Sequence, residues 1–391
     1  MRDGWRTVRL GDLMDRTTDR LGDAPEPRIL TCTENHGLVD QIEHMGRRLA
    51  TEDVSAYKVV EPLDVVYNVY LLWLGAIGQN LTGTVGVTSP AYEVFRPRNA
   101  VYGPFLGLLL RSPALLDQFN MISIGTVPRR RRAPWQDFLD VTVTVPPLDE
   151  QQHIVDLIGS VDEAIEAADE VAVAAFHSLD IARDQMVWSF QERVALQSLC
   201  SIKAKLVDPT LLTTRHLPHI GTERIVSGSG EIVDVVTAAE DGVTSAKFLH
   251  GIDDVIYSKI RPNLRKAAMP ITIGLCSADA YPLSPNSGVD KLFLQQLLLT
   301  SQFTEAAVAK SGRTKMPKIN KTELFSITVP LVPRDDQLRL SGVFSVLGES
   351  YASSKAYAKT LRNLRTNLLT ALLSGAHEIP DSYDDLLAEA M

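Results

Sequence analysis

Two runs of basic residues and a few side-chain amides are the residues of this chain whose types and spacing suit a chemical task. Arg129, Arg130, Arg131 and Arg132 follow Gly125-Thr126-Val127-Pro128 without a break. The segment 310–321, KSGRTKMPKINK, holds Lys310, Arg313, Lys315, Lys318 and Lys321 with no acid, and 257–266 adds Lys259, Arg261, Arg265 and Lys266. Such cations neutralise phosphates, a glycine lets backbone come close, and Arg, Asn or Gln nearby can read base edges. Asn68, Gln79 and Asn80 lie in an apolar stretch with Trp73 and glycines at 75, 78 and 83. They suit base reading or, equally, turns that satisfy their own backbone. A basic run taken alone is more often a solvated surface. Two at corresponding places carry more weight, and that correspondence is established below.

Other chemistry is harder to find. His216-x-x-His219 has the spacing of a metal pair but no third ligand at a useful distance, which favours a surface or core role. Gly228-Ser229-Gly230 is long enough only for a turn. No phosphate loop, dinucleotide fingerprint, methyltransferase-type Asn/Asp-Pro-Pro-aromatic word, H-E-x-x-H or G-x-S-x-G occurs, and no acid-x-Lys motif follows Asp381. The expectation is a chain that performs no catalysis itself and needs no cofactor or metal.

The frame that must position the basic residues is large enough for two or three domains: 391 residues, 45% hydrophobic and 22% charged. The net charge of −9 argues on its face against a nucleic-acid partner. Cys32, Cys200 and Cys276 are far apart and form no C-x-x-C pair, which fits a reducing compartment. No apolar stretch approaches the roughly 18 residues needed to cross a bilayer, so a cytoplasmic protein without a membrane partner is expected.

The chain repeats itself at a period near 186 residues. Val8-x-Leu10-x-x-Leu13 recurs as Val194-x-Leu196-x-x-Leu199, and Asp64-Val-Val-Tyr67 as Asp254-Val-Ile-Tyr257. Ala91-Tyr92 matches Ala280-Tyr281, and Leu108-Leu-Leu-Arg-Ser112 matches Leu297-Leu-Leu-Thr-Ser301. Thr144-Val-Pro146 with Asp149-Glu150-Gln151 matches Thr328-Val-Pro330 with Asp335-Asp336-Gln337. The shared order, with offsets between 184 and 190, makes duplication the better account than chance. Gly125 and Gly312 fall at equivalent places, so both halves open a basic loop with glycine.

Each half reads as an α+β globular domain of short β-type runs, a proline-bounded junction, and a long proline-free helix. In the first helix Ile154, Ile158, Val161, Ile165, Ala168, Ala172, Ala175 and Leu179 alternate spacings of four and three, a heptad seam. In the second the seam runs Leu340, Phe344, Leu347, Tyr351, Ser354, Ala358, Leu361, then Leu364, Leu368 and Leu372, with a stutter near Leu361. Residues 149–182 hold nine acids and no Lys or Arg, whereas 334–365 carry six bases against three acids. The two helices are therefore expected to pair with each other, flanking charge choosing the partner. A pair of about 40 residues is roughly 60 Å long and serves as a spacer. With the last 16 residues supplying five more acids, the remainder, which includes both basic loops, is net positive. The global acidity then no longer counts against nucleic acid.

Taken together these features resemble the specificity subunit of Type I restriction-modification enzymes. The likeness rests on two diverged domains, each followed by a proline-rich junction, an acid-Gln start (Pro146-Pro147-Leu148-Asp149-Glu150-Gln151) and a long helix. Local words agree: WRTVRLGDL at 5–13, ILTCTENHGL at 29–38, VTSPAYEV at 87–94, LPHIGTERI at 217–225 and KMPKIN at 315–320. The resemblance implies two target recognition domains, 1–147 and 193–332, spacer helices at 148–192 and 333–375 packed as an antiparallel coiled-coil-like pair, an internal pseudo-two-fold repeat, and an acidic tail at 376–391. It implies a subunit that reads a bipartite site on double-stranded DNA, with two methyltransferase subunits that bring S-adenosylmethionine, and with restriction subunits that translocate and cut. DNA contacts are expected from Arg129, Arg130, Arg131, Arg132 and Asn68 in the first domain. In the second they are expected from Lys259, Arg261, Arg265, Lys266, Arg313, Lys315 and Lys318. Partner contacts are expected from Gln151, Ile154, Ile158, Gln337, Leu340 and Phe344. Two rival readings are a specificity subunit of a Type IIB-like methyltransferase/nuclease and a helix-hairpin scaffold that binds protein without DNA.

Overall fold

Strand Thr142–Val145 alternates exposed threonine with buried valine, the period-two signature of a strand with one wet face. It pairs antiparallel with Arg6–Arg9, Val8 opposite Val143, and so ties the start of the first domain to its end. Arg193–Ala195 and Thr328–Pro330 do the same in the second half, Val194 opposite Val329. The computed structural model describes residues 4–125, 131–312 and 316–380. It divides into two compact units, Met1–Glu166 with Lys359–Met391, and Ala167–Ala358. The boundary cuts both long helices, so each unit is a globular domain together with the nearer halves of the two helices.

In the first unit an antiparallel sheet has the order Met14–Thr17, Tyr92–Pro97, Val65–Asn68, Ile77–Gln79. A second sheet has the order Gly37–Asp40, Arg28–Thr33, Gly86–Thr88, Lys58–Val60, with one parallel pairing between Arg28–Thr33 and Gly86–Thr88. Val65, Val66 and Tyr67 are buried in succession because that central strand is covered on both faces. The second unit repeats this topology strand for strand. Cys200–Ser201, Ala280–Pro285, Val255–Ser258 and Ala267–Ala268 form the first sheet. Val236–Thr237, Pro218–Ile220, Gly274–Cys276 and Lys247–His250 form the second, again with one parallel pairing, and Lys205–Val207 adds an edge strand. The added strand has a rudiment in the first unit, the single bridge between Arg20 and Lys58.

The helices Leu148–Trp188 and Arg334–Leu373 have 41 and 40 residues. The first seam is interior: Ile154, Ile158, Ile165, Ala168, Ala172 and Leu179 are all buried. Ile154 and Ile158 share the first unit's core with Leu369 and Leu372, and Leu179 shares the second unit's core with Leu340 and Phe344. A fully buried Ile or Leu contributes roughly 1.5–3 kcal/mol by transfer from water, so these contacts fasten each domain to its helices. The pairing is antiparallel. Asp162 accepts from Arg365 at 2.9 Å, while Phe176 lies against Tyr351 with ring centroids 5.2 Å apart, one number rising as the other falls.

The expected slip near Leu361 does not pass through Leu364. Beyond Leu361 the inward positions are Arg365, Leu369 and Leu372, with Leu368 partly buried beside them. Leu364 is half exposed instead. An arginine holds a heptad position because its guanidinium pairs with Asp162 across the seam while its stem covers apolar surface. Reading apolar residues alone shifts the register by one.

Candidate nucleic-acid interface

Both basic loops close on the same structural feature, the end of the central strand of their sheet. In the second unit strand Val255–Ser258 runs into Lys259, whose carbonyl accepts from the N–H of Ile319 at 2.9 Å. Arg261 N–H donates to the Pro317 carbonyl at 2.8 Å, and Ile260 bridges Lys318. In the first unit strand Val65–Asn68 runs into Val69, whose carbonyl accepts from the N–H of Ala133 at 3.0 Å, while Ile124 and Arg132 exchange both backbone hydrogen bonds at 2.9 and 2.8 Å. Far from each other in sequence, strand end and basic loop become neighbours in each unit by the same bond.

Local sequence fixes the second loop at both ends. Asn320 and Glu323 form a reciprocal capping box at the start of helix Lys321–Phe325, satisfying donors that would otherwise be orphaned. The turn at 261–265 places Arg261 and Arg265 in the left-handed region, φ 46° and 50°, on either side of a short 3-10 turn at Pro262–Leu264. That conformation costs a non-glycine residue about 1–2 kcal/mol, so other contacts must hold it. Arg265 supplies them: its guanidinium donates to both carboxylate oxygens of Asp180 on the first long helix, one at 2.9 Å, and to the Leu299 carbonyl.

This sorts the expected DNA residues of the second unit. Arg261 is exposed and has no side-chain partner among the described residues. Lys318 is half exposed and bonds Asp279 at 3.0 Å. Lys259 sits 5.2 Å from the centre of the Tyr281 ring, a cation–π contact. These three meet at one edge. Arg265 and Lys266 are corrections: Arg265 is taken by Asp180, and Lys266 donates inward to the Thr222 carbonyl at 2.7 Å. Arg313 and Lys315 lie outside the described residues. Asn263, exposed at the tip of the turn beside Arg261, was missed; an amide between two arginines after a proline was the available signal.

In the first unit Arg129 and Arg130 lie outside the described residues, and Arg132 is exposed. Arg131 is a correction. Its guanidinium donates to the Ser123 carbonyl at 2.9 and 3.1 Å and to that of Asn120 at 2.6 Å, closing the end of helix Pro113–Ile122, and stacks 5.1 Å from the Trp73 ring. Asn68 is another: it is buried, and its Oδ1 accepts the Tyr70 N–H at 3.0 Å, the turn role allowed for it above. Gln79 and Asn80 likewise bond the backbone of Leu63, Gly103, Val60 and Glu61. Beside the exposed Arg132, Met121 and Ile124 are 76% and 67% exposed.

The six residues assigned to partner contacts are interior, a further correction. Ile154, Ile158, Leu340 and Phe344 belong to the cores. Gln151 and Gln337 form matching brackets. Gln151 accepts the Tyr102 N–H and donates to the Pro146 carbonyl, both at 2.8 Å; Gln337 accepts the Asp290 N–H and donates to the Val332 carbonyl, both at 2.8 Å. Each locks the start of a long helix to its own domain, so neither amide is free for another chain.

The histidine pair is split. His219 is buried with Nδ1 2.6 Å from Asp241, while His216 is exposed. With Arg224 also on Asp241, the His219 and Arg224 hydrogen bonds hold that carboxyl below the usual range. Among the described residues no three His, Cys, Asp or Glu side chains gather as metal ligands, and no helix is long and apolar enough to cross a membrane. The three cysteines are buried as free thiols, and burial pushes those of Cys200 and Cys276 up to about 12.

No protein-family model matches the chain. Over 170 residues it is 35% identical to the specificity subunit of the Type I restriction enzyme EcoDI from Escherichia coli, a match spanning 44% of this chain and 37% of that relative. A chain solved in work on complex assembly and conformational transition of the type I R-M system shares its fold with a TM-score of 0.59 at 17% identity, over 95% of this chain and 98% of that one. The S subunit of a Type I restriction-modification system from M. genitalium gives 0.51 at 11% identity, over 94% and 96%. At these identities what is shared with the solved structures is the fold.

Proposed function

We propose that this chain is a sequence-specific, non-catalytic DNA-recognition subunit of a Type I restriction-modification complex. Its two domains, set at 1–147 and 193–332, each read one half of a bipartite site. The long helices act as the ruler between the halves, and methyltransferase subunits, with restriction subunits where present, bring the S-adenosylmethionine and ATP chemistry. The observation that carries this is the duplicated loop: in both units a basic, glycine-opened segment is bonded to the end of the central strand. A protein that reads two half-sites needs the same presentation twice, with different side chains at each tip. The similarity to the EcoDI specificity subunit supports the same reading. In the second unit Arg261, Asn263, Lys259 and Lys318 are the contacts, Arg261 and Asn263 suited to base edges and the lysines to phosphates. In the first, Arg132 carries the contact, with Arg129 and Arg130 beside it in sequence.

Mapping modified adenines across a genome with and without this chain tests the proposal, because it returns both half-sites and the spacer at once. Modification that does not change with the chain, together with no sequence-dependent gel shift by the assembled complex, would overturn it. The helix-hairpin scaffold predicts that negative result. A Type IIB-like system predicts the positive one with methylation and cleavage in a single partner polypeptide.

A further inference from the structure

Each unit turns its central strand in the same way and furnishes the turn differently. Behind Val65–Asn68 a 3-10 turn spans Leu72–Leu74, and behind Val255–Ser258 another spans Pro262–Leu264. Their backbone bonds agree one for one. The Leu74 N–H donates to the Leu71 carbonyl at 3.0 Å, and that of Leu264 to the Arg261 carbonyl at 2.9 Å. Gly75 donates to Leu72 at 2.8 Å and Arg265 to Pro262 at 3.0 Å, while Asn68 donates to Ala76 and Ser258 to Lys266, both at 2.9 Å. Gly75 and Arg265 both close the turn with a left-handed backbone, φ 87° and 50°. This sets Val69, Leu71 and Trp73 where the second unit has Lys259, Arg261 and Asn263. The second turn, KIRPNLR at 259–265, holds three cations and an amide; the first, VYLLWLG at 69–75, holds no charged residue and no amide.

The first turn nevertheless faces water, with Tyr70 43% exposed and Leu74 exposed beside it. Helix Pro113–Ile122 packs against the turn, and Arg131 joins the two, its guanidinium over the Trp73 ring and on the Asn120 and Ser123 carbonyls at the helix end. Exposed Met121 and Ile124, at that same helix end, extend the apolar surface of the turn. Single apolar residues on a surface need no explanation. Several gathered at the place where the other unit presents Arg261 and Asn263 do. An apolar side chain tells base pairs apart in the major groove by contact with the 5-methyl group of thymine. The other apolar device, a wedge between base steps, needs a side chain free to enter the stack. Trp73 is not free: its Nε1 donates to the Tyr70 carbonyl at 3.1 Å and its ring lies under Arg131.

We propose that the first unit reads its half-site by apolar contact with thymine 5-methyl groups, through Tyr70, Met121 and Ile124. The inference rests on the functional reading above, which makes the strand-end turn a DNA-reading element. Phosphate contact stays with the neighbouring loop, where exposed Arg132 stands in the place of Lys318. The two units thus use one backbone for two kinds of readout, hydrogen bonding in the second and methyl contact in the first.

The test uses the full chain assembled with its methyltransferase subunits, as wild type and as the double variant Tyr70→Ala, Met121→Ala. Both side chains are exposed, so melting temperatures stay at the wild-type value. Each complex is titrated with duplexes carrying the mapped site, with thymine or with uracil in one half-site and then in the other. Uracil lacks only the methyl group and keeps the hydrogen-bonding edges of thymine. For the wild type, uracil in the half-site that Arg261→Ala leaves unaltered should raise the dissociation constant about fourfold for each methyl contacted. The double variant should bind the thymine and uracil duplexes equally. A wild type indifferent to uracil in that half-site overturns the proposal and leaves the functional reading standing. So does a double variant that keeps the full uracil penalty, including one that binds both duplexes more weakly by the same factor, the mark of a wedge. A wild-type complex that binds no DNA site-specifically overturns the functional reading itself.

Discussion

Replacing Gln337 by Met keeps the length of the side chain and removes both of its hydrogen bonds. The Asp290 N–H and the Val332 carbonyl, each 2.8 Å from the native amide, then lose their partner where Gln337 is only 3% exposed. An unsatisfied buried polar group costs about 1–3 kcal/mol. The carbonyl is fully enclosed and the N–H only partly, so the two together come to about 2–4 kcal/mol. Gln151→Met should cost the same in the first unit, where the Tyr102 N–H and Pro146 carbonyl stand in the same relation at the same distances. Gln337→Glu should not rescue, because it retains an acceptor for Asp290 but sets an oxygen against the Val332 carbonyl. Urea unfolding followed by hydrogen exchange assigns the loss to a unit: helix starts at 148 or 334 open early, each only in its own variant, and the effects add because the brackets share no atoms. A loss under about 0.5 kcal/mol for either variant would refute the view that these amides fasten helix to domain.

Four further outcomes follow from the sorting of the basic residues and from one buried histidine. Arg261→Ala should weaken binding to the cognate half-site by about 1–3 kcal/mol at one base pair with no change in unfolding; a uniform loss over all sequences would make it a phosphate contact. Lys318→Ala should lower the slope of log affinity against log salt by about one, and an unchanged slope removes Lys318 from the interface. Arg265→Ala should act on stability, by about 1.5–3 kcal/mol, since it removes the two-pronged partner of Asp180, leaving only Arg183 at 3.5 Å, and takes the anchor from the left-handed turn; unchanged unfolding with lost DNA binding would reverse the assignment. Burial holds the His250 imidazole below its ordinary value. The unfolded chain therefore takes up a proton at higher pH than the folded one, and the second unit should lose stability as pH falls below about 6.5. Melting temperatures between pH 7.5 and 5 check this, and His250→Asn should flatten the profile.

The duplication, the long helices and the basic loops were legible in the sequence because they are carried by periodicity and by order along the chain. What was not legible depended on where individual side chains turn. Arg265 and Lys266 belong by composition to the same cluster as Arg261, yet Asp180 and the Thr222 carbonyl draw them inward, and both partners are remote in sequence. The glutamines after the proline junctions stood out by position, but position does not distinguish an amide offered to another chain from one closing a bracket at home. Arg365 shows the same limit within a single helix. A polar residue in a seam is passed over for its apolar neighbour Leu364 until Asp162 is found opposite it.

The two halves share only short words, and yet what they keep in three dimensions is specific: strand order, the glutamine brackets, and the bond from loop to strand end. Asp64 and Asp254 add to this, each accepting the N–H three residues before it at the entrance to the central strand. What they do not keep is the tip. Arg131 is committed to capping a helix while Met121 and Ile124 stand in water; in the other unit Arg261, Asn263 and Lys318 occupy the edge. A scaffold held constant under unlike tips is the arrangement that separates positioning from reading. If the tips read DNA, the two half-sites must differ in sequence. Exchanging 121–132 for the corresponding segment of the second unit should then alter one half-site and leave the spacer length untouched. A change in spacer length after that exchange would mean that the tips, and not the helices, set the distance between the halves.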